Sequence, residues 1–140
     1  MTAAEGQAFE WPVRVYYEDT DAQGVVYYAN YFRFLERART EWLGSLGVDM
    51  VALMAEERRI FVVAEVQAKF LVPARLNDNL IVTARLTGLT RVSFYIEQNI
   101  YRDSTDGEQL LAANVKAAYL DADTMRPKRI PSTLFEENQS

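Results

Sequence analysis

The apolar positions of this chain recur every three or four residues in one stretch and every second residue in four others. The first stretch runs from Tyr28 or Ala29 to Leu46. It sets Tyr31, Phe34, Leu35, Ala38, Trp42 and Leu46 on one side, opposite Arg33, Arg37 and Glu41. That spacing predicts an amphipathic helix. Gly47 stops it and Gly44 weakens its last turn. Arg37 and Glu41, four residues apart, can pair weakly. Upstream, Val13–Tyr17 alternates as a strand does, and Thr20–Val26 reads as a turn around Gly24. Val48–Glu56 reads as a short helix or turn. Beyond it, Phe61–Leu71, Asn79–Leu89, Val92–Arg102 and Glu108–Asp121 are rich in β-branched, aromatic and small residues and read as strands. Asp106-Gly107 is a hairpin signal. Thr90-Arg91 lacks glycine and predicts a tight turn or a continuous bend. Leu76–Asn79 is a turn after Pro73. The expected order is therefore a strand, a long helix and four strands in an antiparallel meander. This is an α+β arrangement with the helix covering one face of a curved sheet. One helix leaves the other face or an edge uncovered, so a homodimer at least is expected.

Composition narrows the class. The chain has 140 residues, 49% of them apolar, enough for one domain with a sizeable core. A single domain over 1–140 is expected, with its core at about 10–125. The first eight residues and the tail FEENQS are expected to fray. There is no linker, repeat or low-complexity segment. The start MTAAEGQAFEWP has neither the basic residues nor the apolar run of a signal peptide. No apolar run approaches the ~18 residues that span a bilayer. No integral membrane segment is expected, and a cytoplasmic setting is. The net charge of −5 argues against general nucleic-acid binding.

The chain contains no His and no Cys. That excludes a Ser-His-Asp triad, a Cys-His pair, a His-dependent hydratase, and zinc held by imidazole or thiolate. No metal and no redox cofactor is expected. Acid–base chemistry must rest on Asp, Glu, Tyr, Lys or backbone groups. The stretch Tyr16–Trp42 sets acids, a Gly-bearing turn and the start of the long helix side by side. Free N–H groups and partial positive charge at a helix start suit a developing negative oxygen. From spacing alone, however, Asp21 reads first as a turn or helix cap. Asp19 reads as a turn residue or hydrogen-bond partner, and Glu18 as a solvated charge. Glu36, in mid-helix, reads as a structural partner of an Arg ahead of a second catalytic acid. Tyr27, Tyr28, Tyr31, Phe32 and Phe61 are core aromatics first and pocket aromatics second.

The ordered run Val15-Tyr16-Tyr17-Glu18-Asp19-Thr20-Asp21-Ala22-Gln23-Gly24-Val25-Val26-Tyr27-Tyr28-Ala29-Asn30-Tyr31 is followed by Phe34-Leu35-Glu36-Arg37-Ala38-Arg39. Together they resemble the hotdog-fold acyl-CoA thioesterases of the 4-hydroxybenzoyl-CoA thioesterase type, and among these the Tol–Pal-associated acyl-CoA thioesterases. Phe70-Leu71-Val72-Pro73-Ala74-Arg75-Leu76 and Arg91-Val92-Ser93-Phe94 match in pattern as well, so the resemblance spans roughly Val13 to Asp121. It implies a hotdog fold, a curved antiparallel sheet wrapped around one long central helix. It implies hydrolysis of short- or medium-chain or small aromatic acyl-CoA to free acid and coenzyme A. Asp21 then stands as catalytic base or nucleophile, and the backbone N–H of Tyr28 or its neighbour contacts the thioester oxygen. Tol–Pal-type members often carry His at the Tyr28 position, whereas the 4-hydroxybenzoyl-CoA branch carries Tyr.

The same resemblance makes Arg91 and Ser93 candidates for substrate binding; Gly24, with Val25 beside it, is a candidate because glycine lets the backbone approach a substrate closely, and Tyr27, Tyr31 and Phe61 as aromatics that could line an acyl pocket. Lys69, Arg75, Lys116 and the run Arg126-Pro127-Lys128-Arg129 are further candidates for the coenzyme phosphates, though each taken singly reads first as a solvated surface charge, and the run suits an acidic carrier-protein surface equally well. No metal and no cofactor beyond the coenzyme of the substrate is implied. Acyl carrier protein is an alternative donor, and a homodimer or homotetramer is expected. The leading alternative is a non-catalytic binding module for acyl-CoA or acyl carrier protein. A docking role in an envelope complex rests on analogy alone.

Overall fold

A computed structural model of the chain describes residues 8–135. Residues 1–7 and 136–140, which hold most of the ends expected to fray, lie outside the described residues. Strand β1 (Phe9–Arg14) is followed by a short turn at Tyr17–Asp19 and by the long helix α1 (Tyr28–Ser45). A single turn, α2 (Met50–Ala52), widens through Leu53–Glu57 and leads into β2 (Arg59–Phe70). Then come β3 (Asn79–Leu89), β4 (Ser93–Arg102) and β5 (Gln109–Asp121). The strands form one antiparallel sheet in the order β1-β3-β4-β5-β2, packed against α1 in the hotdog arrangement.

Two expectations about the strands are corrected. The first strand is Phe9–Arg14 rather than Val13–Tyr17. Its pairing with β3 ends at Arg14↔Asn79, where β3 itself begins. The Tyr16 N–H then turns to the Asp19 carboxylate, 2.8 Å away, and the chain leaves the sheet. Secondly, the last four strands are not one meander. Only β3, β4 and β5 are, and β2 pairs with β5 at the far edge. No two-residue turn signal joins Phe70 to Asn79, so the segment between them crosses to the other side of the sheet. The β4–β5 hairpin forms where Asp106-Gly107 predicts it. A Cβ on Gly107 would lie 2.2 Å from the Arg102 carbonyl oxygen, so the turn admits no side chain there.

The apolar stripe of α1 is buried as its spacing predicts, and it feeds two clusters. Tyr31, Phe34, Leu35 and Ala38 pack with Val13, Val15, Val82, Ile100 and Leu111. Trp42 and Leu43 pack with Leu86, Phe94, Ile96 and Tyr119. Full burial of a side chain such as Phe34 contributes roughly 1.5–3 kcal/mol. Between the clusters lies buried Gln98 on β4. Its Nε2 donates to the Leu35 carbonyl (3.1 Å) and the Thr83 carbonyl (3.2 Å), and its Oε1 accepts from Arg39 (3.0 Å). Helix and sheet are thereby locked at one register. Arg37 and Glu41 form no ion pair among the described residues; Arg37 lies over the Phe34 ring instead, 6.0 Å from its centroid.

The core extends beyond residue 125. Ile130 and Phe135 are buried in the second cluster. Phe135, placed by the sequence in a fraying tail, stacks on Trp42 at 5.8 Å and meets Phe94 edge-on at 5.1 Å. An apolar ring next to a Trp surface gains more from burial than from freedom. Replacing it, Phe135→Ala, should lower the unfolding free energy by about 3 kcal/mol or more in urea titration. A loss under about 1 kcal/mol would show that the tail does not complete the core.

Candidate functional site

The loop between β1 and α1 is built by short-range bonds. Val15 exchanges backbone bonds with the next crossing segment, Val15 N–H to Asp78 O (2.9 Å) and Asn77 N–H to Val15 O (3.0 Å). Asp21 N–H donates to Val25 O (2.9 Å) and Gly24 N–H to Asp21 O (3.0 Å), closing a turn in which Gly24 has φ +78°. That left-handed conformation favours glycine. The Asp21 carboxylate takes part: Oδ1 accepts from Gln23 N–H (2.8 Å) and Val25 N–H (3.4 Å). The cap expected from spacing is therefore present. It uses one oxygen of an exposed side chain, and Oδ2 has no hydrogen-bond partner among the described residues.

The helix that follows starts without a cap. Tyr27 occupies the N-cap in an extended conformation, no side chain bonds back, and the first turn holds no acid. Asn30 N–H reaches the Tyr27 carbonyl (2.9 Å). The Tyr28 and Ala29 N–H groups have no capping side chain at the end where the helix dipole is positive.

The segment 71–78 forms the opposite wall, held from four sides. Val26 N–H donates to Ala74 O and Leu76 N–H to Gly24 O. Tyr31 Oη accepts from the buried Ala74 N–H at 2.9 Å. Arg102 donates to Asp78 (3.1 Å) and to the Pro73 carbonyl (2.9 Å), and also pairs with Glu108. Burial pushes the Tyr31 phenol above its ordinary range, so it stays protonated at neutral pH. Between the walls lies a cavity of about 660 Å³, lined by Asp21, Tyr27, Tyr28 and Tyr31 on one side and Phe70–Pro73 on the other. Phe70 is its aromatic hub, with ring centroids 5.9 Å from Tyr28, 5.5 Å from Tyr31 and 6.3 Å from Phe32.

Five of the candidate residues thus meet here: Asp21, Tyr27, Tyr28 and Tyr31 in the cavity wall, with Gly24 shaping the turn. Val25 bridges to Arg75 just behind. Phe61, Arg91 and Ser93 do not join them within one chain. Ser93 starts β4 and Arg102 ends it, so Ser93 lies about 30 Å along the strand from the residue that holds Pro73. Arg91 sits in the turn before it, where Ile130 N–H bonds to its carbonyl (2.8 Å) and brings Arg129 close. Phe61 contacts Phe94 and Tyr119 and lines a second cavity of about 350 Å³ with Glu36, Arg39 and Met50. Glu36 has no ion pair among the described residues, and burial holds the Arg39 guanidinium below its usual range. Lys116 lies over Tyr95 on the other sheet face, 5.8 Å from the ring. The sequence reading missed Phe70–Pro73 as a wall, although Pro73 marked the break in the strand. Asp19 is a hydrogen-bond partner, as expected, but the sequence did not name its buried donor, Asn30 Nδ2, 2.8 Å from Asp19 Oδ1.

An exposed carboxylate and an uncapped helix start on one apolar cavity can bind a polarised carbonyl and deliver a base or nucleophile to it. Among the described residues no cluster of His, Cys, Asp and Glu could hold a metal ion, and no helix is long and apolar enough to cross a membrane.

The family model of the thioesterase-like superfamily matches residues 15–137. The chain is 42% identical over 129 residues to the acyl-CoA thioester hydrolase YbgC of Escherichia coli O6:H1, covering 92% of this chain and 94% of that protein. Its structure is similar to that of a probable thioesterase from Bartonella henselae, with TM-score 0.83, 32% identity, and 89% and 100% of the two chains covered. It also shares the fold of 4-hydroxybenzoyl-CoA thioesterase from Pseudomonas sp. strain CBS-3, with TM-score 0.83 at 20% identity over 92% and 97% of the chains.

Removing the Tyr31 hydroxyl should loosen the far wall. In Tyr31→Phe the fully buried Ala74 N–H loses its acceptor. A cost of about 1–3 kcal/mol is expected in urea unfolding. An unchanged midpoint would show that the hydroxyl does not hold the 71–78 segment.

Proposed function

The chain belongs to the thioesterase-like superfamily, and on that premise we propose that it hydrolyses acyl-CoA thioesters to free acid and coenzyme A. It is a thioester hydrolase formed by one domain. The observation that carries the reading is that Asp21 and the uncapped first turn of α1 share one cavity. The thioester carbonyl points its oxygen at the Tyr28 N–H, where negative charge develops as the carbonyl carbon becomes tetrahedral. One such donor contributes roughly 3–4 kcal/mol to the transition state. Asp21 acts in one of two ways. As a general base it takes a proton from water as the water attacks, a contribution of ~10²–10⁴-fold. As a nucleophile it forms a mixed anhydride, expels the coenzyme thiolate, and is released when water opens the anhydride. Both routes give the same products and call on no metal or redox group.

The apolar wall of Tyr27, Tyr31 and Phe70–Val72 suits a short or medium aliphatic or a small aromatic acyl group. Phe61, Arg91 and Ser93 enter through a second copy of the chain. The outer edge of β2 is unpaired among the described residues, and half-exposed Val63 and Phe70 lie along it. A two-fold, antiparallel pairing of that edge sets the Phe61 end of one copy against the Phe70 end of the other. The working form is a homodimer or a homotetramer in the cytoplasm. The second reading is a binding module for acyl-CoA or acyl carrier protein. It is favoured by the exposed cations Arg91, Arg126, Lys128 and Arg129, which gather at one end of the sheet and suit either coenzyme phosphates or an acidic carrier.

Two measurements test this. The first is thiol release from a panel of aliphatic and aromatic acyl-CoAs, with wild type and Asp21→Asn, each checked by thermal unfolding. Turnover by wild type and a folded variant slowed at least ~10²-fold are expected. Binding without thiol release across the panel would favour the binding module. A variant at wild-type rate would remove Asp21 from the reaction. The second is sedimentation equilibrium, which should give two or four times the 16.0 kDa of one chain. A monomer would leave Phe61, Arg91 and Ser93 outside the site.

A further inference from the structure

We propose that Asp19 and Asn30 are positioning residues for this reaction: they supply the negative charge that the first turn of α1 requires while leaving its N–H groups open to the substrate. The inference rests on the reading of Asp21 and that turn as the reacting site. An 18-residue helix carries roughly half a positive charge at its start. The common way to balance it is a Ser, Thr, Asp or Asn at the N-cap, whose oxygen occupies the N–H of the second or third residue. Such a cap here would block the donors. The N-cap is Tyr27, and the first turn has neither a capping side chain nor an acid.

The charge comes from further away. Asp19 lies eight residues before the N-cap and is only 5% exposed. Its Oδ2 accepts from Tyr16 N–H and its Oδ1 from Asn30 Nδ2, both at 2.8 Å. No cation pairs with it among the described residues. A buried carboxylate without a cation is costly, so its two N–H donors and the positive helix start are what hold it there. Asn30 is 1% exposed and sits in the first turn itself. Its Nδ2 faces Asp19, and its Oδ1 is buried without a partner. The amide therefore serves as a crosspiece, at the expense of its own oxygen.

One bond thus ties the two reacting parts together. Asp19 ends the short turn that comes just before the one Asp21 opens, two residues from it, and Asn30 is two residues from Tyr28. Neither lines the cavity, so both act through their neighbours. Displacing Asp21 from the donors by about 1 Å is enough to cost ~10²-fold in rate.

The test uses Asp19→Asn, Asn30→Asp, the double exchange and Asp21→Asn in the full-length protein. Turnover and KM are measured with a short aliphatic and a benzoyl-type acyl-CoA, and folding by thermal unfolding at each step. Each single exchange should lower kcat by about 10–100-fold with KM little changed, since the pair becomes amide against amide or acid against acid. In the double exchange the amide at position 19 still accepts from Tyr16 N–H and donates to the carboxylate at position 30. It should regain kcat to within about threefold of wild type, a rescue that loss of stability alone does not produce. If a single variant does not fold, the double exchange decides: folded and active supports the pair, folded and inactive overturns it. A double exchange that does not fold shows a pair that serves the fold alone, which also overturns the proposal. Single variants at wild-type kcat beside an inactive Asp21→Asn overturn the positioning role but not the site. Asp21→Asn at wild-type rate overturns both.

Discussion

For the proposed reaction the first turn of α1 has to be held in place without being capped, and the bonds around the cavity answer to that constraint. A capped start would be steadier in isolation but closed to any ligand. Here the fixing bonds come from outside the turn. Asn30 holds Asp19, and Tyr31, one position on, accepts from Ala74 N–H on the opposite wall. The turn at 21–25 is stitched to that same wall through Val25, Val26 and Leu76. Arg102 then fastens the wall to the end of β4 through Pro73 and Asp78. Each of these bonds is modest by itself, about 1 kcal/mol net for a neutral pair and about 1.5–3 where a charge takes part. Their effect is geometric. They fix the cavity from several independent points and leave its donors free.

The hydrophobic framework supports this by dividing its work along one helix. The N-terminal half of α1 packs on β1, β3 and β5 beneath the cavity. The C-terminal half packs on Phe94, Tyr119 and the segment after β5. Gln98 sits between the two and bonds both the Leu35 carbonyl and a strand carbonyl. A buried amide with every polar atom satisfied allows one register only, since a slip of the helix would strand it. The polar crosspiece makes the position of the first turn a property of the whole sheet.

The local elements were legible in the sequence because their causes are local. Helical spacing fixed the buried face of α1, and Asp106-Gly107 announced its hairpin. The place of β2 was not legible, since its alternation says only that it is a strand and not which strand it joins. Asp21 was ambiguous from spacing because one Asp can fill two roles, and the structure shows a capping oxygen beside an unengaged one. Arg91 and Ser93 were named by likeness of pattern and Phe61 as an aromatic, and neither ground carries information on which end of a strand faces which cavity. Phe135 was misjudged because composition at a chain end says nothing of a Trp face waiting for a ring.

Asp21 is held in a chain without histidine. A carboxylate that serves as base or nucleophile needs a fixed direction, and in many sites a neighbouring imidazole or cation gives it one. Here direction comes from the backbone: Gln23 and Val25 N–H grip Oδ1, and Gly24 supplies the left-handed step that lets both reach it. Those donors do not titrate, whereas a His partner would. Asp21 lines the same apolar cavity as the first turn of α1, whose N–H groups carry a partial positive charge that is equally permanent. Fixed dipoles that need no reorganisation as charge develops are an effective source of transition-state stabilisation. In the proposed reaction, turn, helix start and crosspiece together form a preorganised electrostatic site built almost entirely from main chain. The side chains within about one turn of it serve chiefly to keep that main chain where it is.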